Sequence, residues 1–180
     1  IPNLLTMRPA DLIETAECWE LAISHNDRPS LLALSRQGVP ALREDYEVNK
    51  SAKGAYILDK AEGTEHVRLF ATGTEVYLAR DAARMLKKKG INATVVSMPC
   101  YNLFAEQDEA YRREILGGRD LLKVGIEAAV RFGWDSIIGQ DGIFIGMKGF
   151  GDSGPAPDLY KHFNITAEAV TDAVSSRLSK

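Results

Sequence analysis

The stretch VRLFATGTEVYLARDAARMLKKKGINATVVSMP, residues 67–99, decides the fold of this chain. It opens with the apolar run 67–71 and a turn of small residues. Apolar side chains then recur every three or four positions, which predicts a helix. Lysines 87–89 and Gly90 give that helix a cationic last turn and a left-handed stop. The β-branched run 93–98 completes a strand, a crossover helix and a second strand, which predicts a parallel βαβ unit.

A parallel sheet needs helices on both faces, and the rest of the chain supplies further elements of both kinds. Strands are predicted at 54–58, 121–126 and 142–146, and helices at 102–116, 128–134 and 158–163, with a last helix that Thr166 caps. We therefore predict an α/β fold, a three-layer sandwich around a mostly parallel, mixed sheet of about five strands.

The first fifty residues predict a separate helix–strand pair. Pro9 is expected to begin a helix whose apolar face extends to Ile23. The run SLLALS at 30–35 predicts a strand that is buried on both faces. Residues 38–52 combine turn breakers and charges without any period, so we expect an exposed linker. Such a strand has to borrow a sheet from chain outside this sequence, or pack on the main domain.

Composition excludes several classes of protein. The 180 residues are 45% hydrophobic and 26% charged, with a formal net charge of −3. A negative balance argues against a general electrostatic hold on nucleic acid or an anionic membrane, and no window is long and apolar enough to span a bilayer. Cys18 and Cys100 fit neither a disulfide framework nor a metal motif, which indicates reduced thiols in a cytosolic protein. A start at Ile1 rather than Met suggests a piece of something longer.

Candidate sites are few. The turn 72–75 lies between a strand and a helix N-terminus, where backbone N–H groups can hold a phosphate. It lacks the glycine spacing of phosphate-binding loops, and Glu75 adds a negative charge, so a structural turn is favoured. Glu127 and Asp141 are carboxylates near strand ends that could do acid–base work in a shared pocket, but nothing in the sequence brings them together.

Histidines, serines and cysteines offer nothing stronger. The histidines lack metal-ligand spacing, and the hydroxyl and thiol groups lack a neighbouring base. These residues are His25, His66, His162, Ser97, Ser153 and Cys100. The sequence therefore predicts no catalytic residue, no cofactor-binding residue and no metal ligand in this chain.

Arg36 is the more informative candidate. It follows the predicted strand 30–35, and open α/β sheets bind ligands where their strands end. A guanidinium there can hold a phosphate through two parallel hydrogen bonds. Pairing with a nearby carboxylate is an equally good interpretation from residue chemistry alone.

Short motifs along the whole chain, in order, resemble the transketolase family. Arg-Pro-Ala-Asp at 8–11 and Leu-Ser-Arg-Gln at 34–37 are similar to the last part of its pyrimidine-binding domain. The strings that are similar to its C-terminal domain are ATGTEV at 71–76, VVSMPC at 95–100, EA at 127–128, GW at 133–134, FGDSGPA at 150–156 and FNIT at 163–166. We therefore predict the tail of the pyrimidine-binding domain plus a linker at 1–47 and the C-terminal domain at 48–180.

The resemblance implies an activity and a site. Transketolases transfer a two-carbon ketol unit between sugar phosphates in the pentose phosphate pathway and the Calvin cycle, with thiamine diphosphate and Mg²⁺. It implies a cytoplasmic homodimer that acts on sugar phosphates and binds neither nucleic acid nor membrane. In that family the arginine of the Ser-Arg-Gln motif helps to bind the substrate phosphate, which implies this role for Arg36.

The departures from the family limit what this segment does. The cofactor- and metal-binding residues of the family, including the glutamate that activates thiamine, have no counterpart here and would precede Ile1. Gly154 stands where alanine is usual, a minor change in a loop. The segment is thus implied to be mainly structural. The alternatives are a stand-alone α/β module for a small phosphorylated ligand, bound at 72–75 or in a strand-end crevice, and a dimerisation domain.

We predict that the isolated chain neither binds thiamine diphosphate nor turns over sugar phosphates. The reason is that its sequence holds no constellation for a diphosphate or a metal ion. Isothermal calorimetry with thiamine diphosphate and Mg²⁺ measures this directly. Saturable binding in the micromolar range would contradict the prediction.

Overall fold

The computed structural model of the chain describes residues 1–179; Lys180, with which the predicted second domain ends, lies outside them. In chain order the elements are β1 (Leu5–Met7), α1 (Leu12–Ser24), β2 (Ser30–Leu32), a 3-10 helix (Lys50–Lys53), β3 (Tyr56–Asp59), β4 (Val67–Ala71), α2 (Glu75–Lys88), β5 (Ala93–Ser97), α3 (Tyr101–Ala105), α4 (Glu109–Leu116), β6 (Leu122–Val130), α5 (Asp135–Ile138), β7 (Ile143–Met147), α6 (Ala156–His162) and α7 (Ala167–Leu178). The predicted βαβ unit is confirmed as β4–α2–β5, and its two strands pair in parallel.

The main sheet has five strands in the order β3-β5-β4-β6-β7. Strand β3 is antiparallel to β5, and the other pairs are parallel. The predicted mostly parallel, mixed sheet is therefore confirmed. From β4 the chain passes first to β5 on one side and later to β6 on the other, so β4 is the point at which the strand order reverses.

Two apolar cores cover the faces of this sheet. Leu69, Val95 and Val124 pack on one face with residues of α2 and α7. Phe70, Val96 and the half-buried Phe144 pack on the other face with residues of α3, α4 and α5. Alternate residues of a strand point to opposite faces, which is why neighbours such as Leu69 and Phe70 enter different cores.

Two predicted helices have different bounds. The helix predicted at 102–116 is two helices, because the side chain of Asp108 caps the second by accepting a hydrogen bond from the backbone N–H of Tyr111. The helical turns predicted at 128–134 are wrong. Strand β6 continues to Val130, which pairs with Met147 across an irregularity in the ladder, and helix begins only at Asp135.

The N-terminal pair is organised by a strand that the sequence did not reveal. Strand β1 is only three residues long, and it pairs in parallel with β2. The strand predicted at 30–35 ends at Leu32, and Leu31 and Leu34 are each about half exposed, at 46% and 51%. Burial on both faces is therefore wrong for the described residues, because Leu31 is exposed within β2 and Leu34 lies beyond its end.

The expectation of an exposed linker at 38–52 is only partly right. Residues 33–38 are exposed and without regular structure, but Leu42, Arg43 and Ser51 are buried. Arg43 forms an ion pair with Glu17, and the same carboxylate accepts hydrogen bonds from the backbone N–H groups of Lys50 and Ser51. Acidic side chains of α1 therefore hold the second half of the linker, which its lack of apolar period could not indicate.

We predict that trypsin cleaves after Arg36 well before it cleaves after Arg43. The first bond lies in exposed, irregular chain, whereas access to the second requires opening of the Arg43–Glu17 pair. Mass spectrometry of a short digestion time course gives the order. The variant Glu17→Ala is the control, since it should open the bond after Arg43 and leave the bond after Arg36 unchanged. Equal rates in the unsubstituted chain would contradict the prediction.

Candidate functional site

A crevice opens at the carboxyl ends of β4, β5 and β6, where the strand order reverses. This is the position at which open α/β sheets bind ligands. The cavity has a volume of about 330 Å³. Its walls include Arg8, Thr72, Pro99, Glu127, Phe132 and Trp134, and we call it the switch-point crevice.

Arg8 bridges two carboxylates in this crevice. Its guanidinium forms ion pairs with Glu127, at the carboxyl end of β6, and with Glu75, in the first turn of α2. The Glu75 side chain is fully buried, and the Arg8 side chain is a quarter exposed. Arg8 thus supplies one positive charge that partners two carboxylates, one on α2 and one on β6.

The backbone of Arg8 is held by hydrogen bonds as well. The Arg8 N–H donates to the carbonyl of Pro99 at 2.8 Å, and the Arg8 carbonyl accepts from the N–H of Gly73 at 3.0 Å. Gly73 has a φ of +59°, a left-handed conformation that glycine adopts without strain. The turn 72–75, for which the sequence favoured a structural role over a phosphate cradle, thus binds a segment of this same chain.

Trp134 closes one wall of the crevice. Its indole N–H donates to Glu127 at 2.7 Å, so Glu127 has both a cationic and a neutral donor. The ring lies flat enough on β6 that a Cβ on Gly125 would stand 2.8 Å from it, which only glycine permits. The tryptophan, in turn, fixes the direction of the Glu127 carboxylate.

Tyr160 of α6 reaches the buried Glu75 from the other side. Its hydroxyl donates to Glu75 and lies 2.8 Å from the hydroxyl oxygen of Thr74. Burial and the nearby Glu75 carboxylate raise the pKa of Tyr160 above its usual range, which keeps it a donor. Glu75 therefore joins α2 to both Arg8 and α6.

Helix α1 makes a second set of contacts with the sheet. The fully buried Glu14 carboxylate accepts hydrogen bonds from the hydroxyls of Tyr56 and Ser97 and from the N–H of Ala10. Burial raises the pKa of Glu14, although these three donors oppose the shift. Asp11 caps α1 and also accepts from the N–H of Leu42 at 2.9 Å. The N-terminal pair is thus joined to the main sheet through polar side chains.

The carboxylates that the sequence singled out lie apart. Glu127 is in the switch-point crevice, at the carboxyl ends of the strands. Asp141 precedes β7 at the amino ends of the strands, where its backbone carbonyl accepts a hydrogen bond from Arg177. They share no pocket, so acid–base work by this pair is excluded. Cys18 and Cys100 are buried and unbridged, and burial raises the pKa of each thiol.

Arg36 lies on the exposed stretch after β2, four residues beyond the end of that strand rather than next to it. Within residues 1–179 its guanidinium makes no ion pair and no side-chain hydrogen bond. The roles of Arg8 and Trp134 were missed by sequence reasoning. Arg8 meets carboxylates 67 and 119 residues away. Trp134 meets Glu127 only because β6 ends between them and the chain turns back.

Two features are absent from the described part of the chain. Nowhere in residues 1–179 do three or more His, Cys, Asp or Glu side chains come together in a way that could hold a metal ion. No helix in the same residues is long and apolar enough to cross a membrane.

Comparisons with known proteins agree with this architecture. A family model described as the transketolase-like TK C-terminal domain matches residues 54–166. The transketolase of Sinorhizobium medicae (strain WSM419) is 54% identical over 171 residues, which cover 94% of this chain and 24% of that protein. The transketolase of Cereibacter sphaeroides is 50% identical, over 99% of this chain and 27% of that protein.

A solved structure agrees as well. Transketolase from Leishmania mexicana superposes with a TM-score of 0.87 at 37% identity, over 97% of this chain and 25% of that one. The fold and the site define an α/β domain with a crevice at the carboxyl ends of its parallel strands. A segment that precedes the domain in the same chain forms part of the crevice wall. The chain belongs to the transketolase family and carries its C-terminal domain. It spans about a quarter of the length of the curated relatives that it matches.

We predict that Glu127→Gln lowers the free energy of unfolding of this chain by about 1–3 kcal/mol. The glutamine keeps an acceptor for Trp134, but Arg8 loses an anionic partner in a partly buried crevice. Urea unfolding at neutral pH measures the change. The matched control is Glu62→Gln, which breaks an exposed pair with Lys87 and should leave stability unchanged. Equal effects of the two variants would contradict the prediction.

Proposed function

We propose that this chain is the C-terminal part of a transketolase that transfers a two-carbon ketol unit between sugar phosphates. The proposal is supported by the family match and by the end-to-end similarity to proteins named transketolase. Because the chain spans about a quarter of those proteins, the transfer reaction belongs to the larger protein. We place that protein in the pentose phosphate pathway or the Calvin cycle, as a cytoplasmic homodimer.

Within that enzyme, we propose a structural and assembly role for the segment. The single observation that carries it is the Arg8 bridge to Glu75 and Glu127. In an α/β domain that binds its own ligand, this crevice would receive a small molecule. Here it receives residues that precede the domain in the same chain, so its chemistry serves the docking of one unit on another.

Thiamine diphosphate and Mg²⁺ are cofactors of the proposed enzyme but do not suit the residues of this chain. The switch-point crevice presents Glu127, which would repel a diphosphate, and its Arg8 is already paired with Glu127 and the buried Glu75. The cofactor supplies the carbanion chemistry in such enzymes, while the protein binds and orients the substrates. We therefore assign cofactor binding to parts of the enzyme outside this sequence.

Arg36 is the residue of this chain that we assign to the substrate. An exposed guanidinium without a partner in residues 1–179 can form charge-assisted hydrogen bonds to a phosphate. The interpretation of Arg36 as a structural ion-pair residue finds no carboxylate partner in the same residues. We propose that Arg36 binds the phosphate of the sugar phosphate.

An independent binding or dimerisation module is the second candidate. It is favoured by Phe132, which is 94% exposed at the mouth of the 330 Å³ crevice. An apolar ring in water beside an apolar cavity is a feature of interaction surfaces. Calorimetry with sugar phosphates, together with sedimentation of the isolated chain, separates the candidates. Binding without self-association favours a module, and self-association without binding favours the assembly role.

We predict that Arg36→Ala in the full-length enzyme raises KM for a phosphorylated acceptor by about 10-fold or more, since each charge-assisted hydrogen bond contributes roughly 1.5–3 kcal/mol. The phosphate is remote from the reacting carbon and is held similarly in the ground and transition states, so kcat should change little. Steady-state kinetics with a phosphorylated acceptor and its unphosphorylated analogue measure the difference.

The matched variant is Arg36→Lys, which keeps the charge but loses the planar fork and should recover only part of the effect. Affinity for thiamine diphosphate should not change in either variant. Equal losses with the two acceptors would contradict a phosphate-binding role and leave Arg36 as a structural residue.

A further inference from the structure

The segment that carries Arg36 is anchored at both ends but lacks regular structure between them. The N–H of Ala33 donates to the carbonyl of Met7 at 2.8 Å, and the N–H of Leu42 donates to Asp11 at 2.9 Å. We call residues 33–42 the Arg36 loop. A loop of this length keeps much conformational freedom unless a contact in its middle restricts it.

Gln37 lies in the middle of the loop, beside the surface of the main domain. Two cavities of about 240 and 400 Å³ lie on the surface of the main domain beside α6, and Gln37 lines both of them. Ala156, Tyr160 and Ile165 also line both cavities. The four shared residues form the wall between the two cavities, so Gln37, the residue next to Arg36, borders the C-terminal domain at this wall.

Tyr160 is the fixed point of that wall. Its hydroxyl is held by the buried Glu75 and by Thr74, as described above. Glu75 also pairs with Arg8, which precedes the Arg36 loop in the chain. Glu75 thus contacts both Arg8 of the N-terminal segment and Tyr160 of the cavity wall. The Tyr160 side chain is held from inside the domain, whereas residues 33–38 of the Arg36 loop are exposed.

We propose that Tyr160 is a positioning residue for substrate phosphate binding, which it supports by holding the Arg36 loop through Gln37. This inference rests on the proposed role of Arg36. A loop that is already ordered loses less conformational entropy when a phosphate binds, so the Arg36 guanidinium binds that phosphate more tightly. The C-terminal domain then contributes to substrate affinity although none of its residues touches the substrate.

The experiment compares Tyr160→Ala with Tyr160→Phe in the full-length enzyme. The alanine variant removes the ring that borders the same two cavities as Gln37. It should raise KM for a phosphorylated acceptor about fivefold to tenfold, the effect of releasing one or two ordered side chains. The KM for an unphosphorylated acceptor and both kcat values should stay within about twofold, because the loop acts only on the phosphate. The phenylalanine variant keeps the ring and should restore most of the affinity.

Tyr111→Ala is the matched control. Tyr111 is also a half-buried tyrosine with one hydrogen bond, to the carbonyl of Ala55, but it packs on the opposite face of the sheet. It should lose comparable thermal stability without any difference between the two acceptors. If Tyr111→Ala reproduces the selective rise in KM, general destabilisation explains the effect and the proposal is overturned.

The double variant Arg36→Ala/Tyr160→Ala separates the two hypotheses. If Tyr160 acts through Arg36, the double variant has the KM of Arg36→Ala alone. Additive effects would show that Tyr160 acts independently, which overturns this inference and leaves the role of Arg36 intact. If Arg36→Ala itself shows no preference between the acceptors, the proposed function of Arg36 fails and this inference fails with it.

Discussion

The fold around the switch-point crevice depends on one charge constraint. Glu75 is fully buried and, like Glu127, is paired with the Arg8 guanidinium. A buried carboxylate without a partner is costly, so this site needs a donor or a cation. No basic residue of the surrounding sheet fills this role. Arg8 does, and its backbone is then hydrogen-bonded to Pro99 and Gly73. The path of the first residues over the domain follows from that requirement.

Acidic residues of α1 extend the same principle away from the crevice. Asp11, Glu14 and Glu17 are all buried, and each accepts hydrogen bonds from residues beyond position 40. A buried carboxylate without hydrogen-bond donors would be costly, so each of these side chains requires its donors at a particular position. These hydrogen bonds therefore fix where residues 11–17 lie against residues 42–56.

This arrangement joins the first residues of the chain to the domain at the edge of its crevice. Arg8 is paired there with Glu75 and Glu127, and the thiols of Cys18 and Cys100 are buried. The Arg36 loop and the ring of Phe132 are among the surfaces that stay exposed.

The sequence by itself determined the β4–α2–β5 unit, the five-stranded sheet, its helices on both faces and the family. These follow from local periodicity, caps and ordered motifs, which short stretches of chain carry. Only the tertiary structure decided that β1 pairs with β2, that β6 runs to Val130, that the linker is held at Arg43, and that Arg8 joins Glu75 to Glu127. Those outcomes depend on side chains that are distant along the chain and meet only when the sheet is formed. The sequence does not show whether a charged residue is solvated or paired with an opposite charge. It therefore could not indicate that Arg8 is paired and Arg36 exposed.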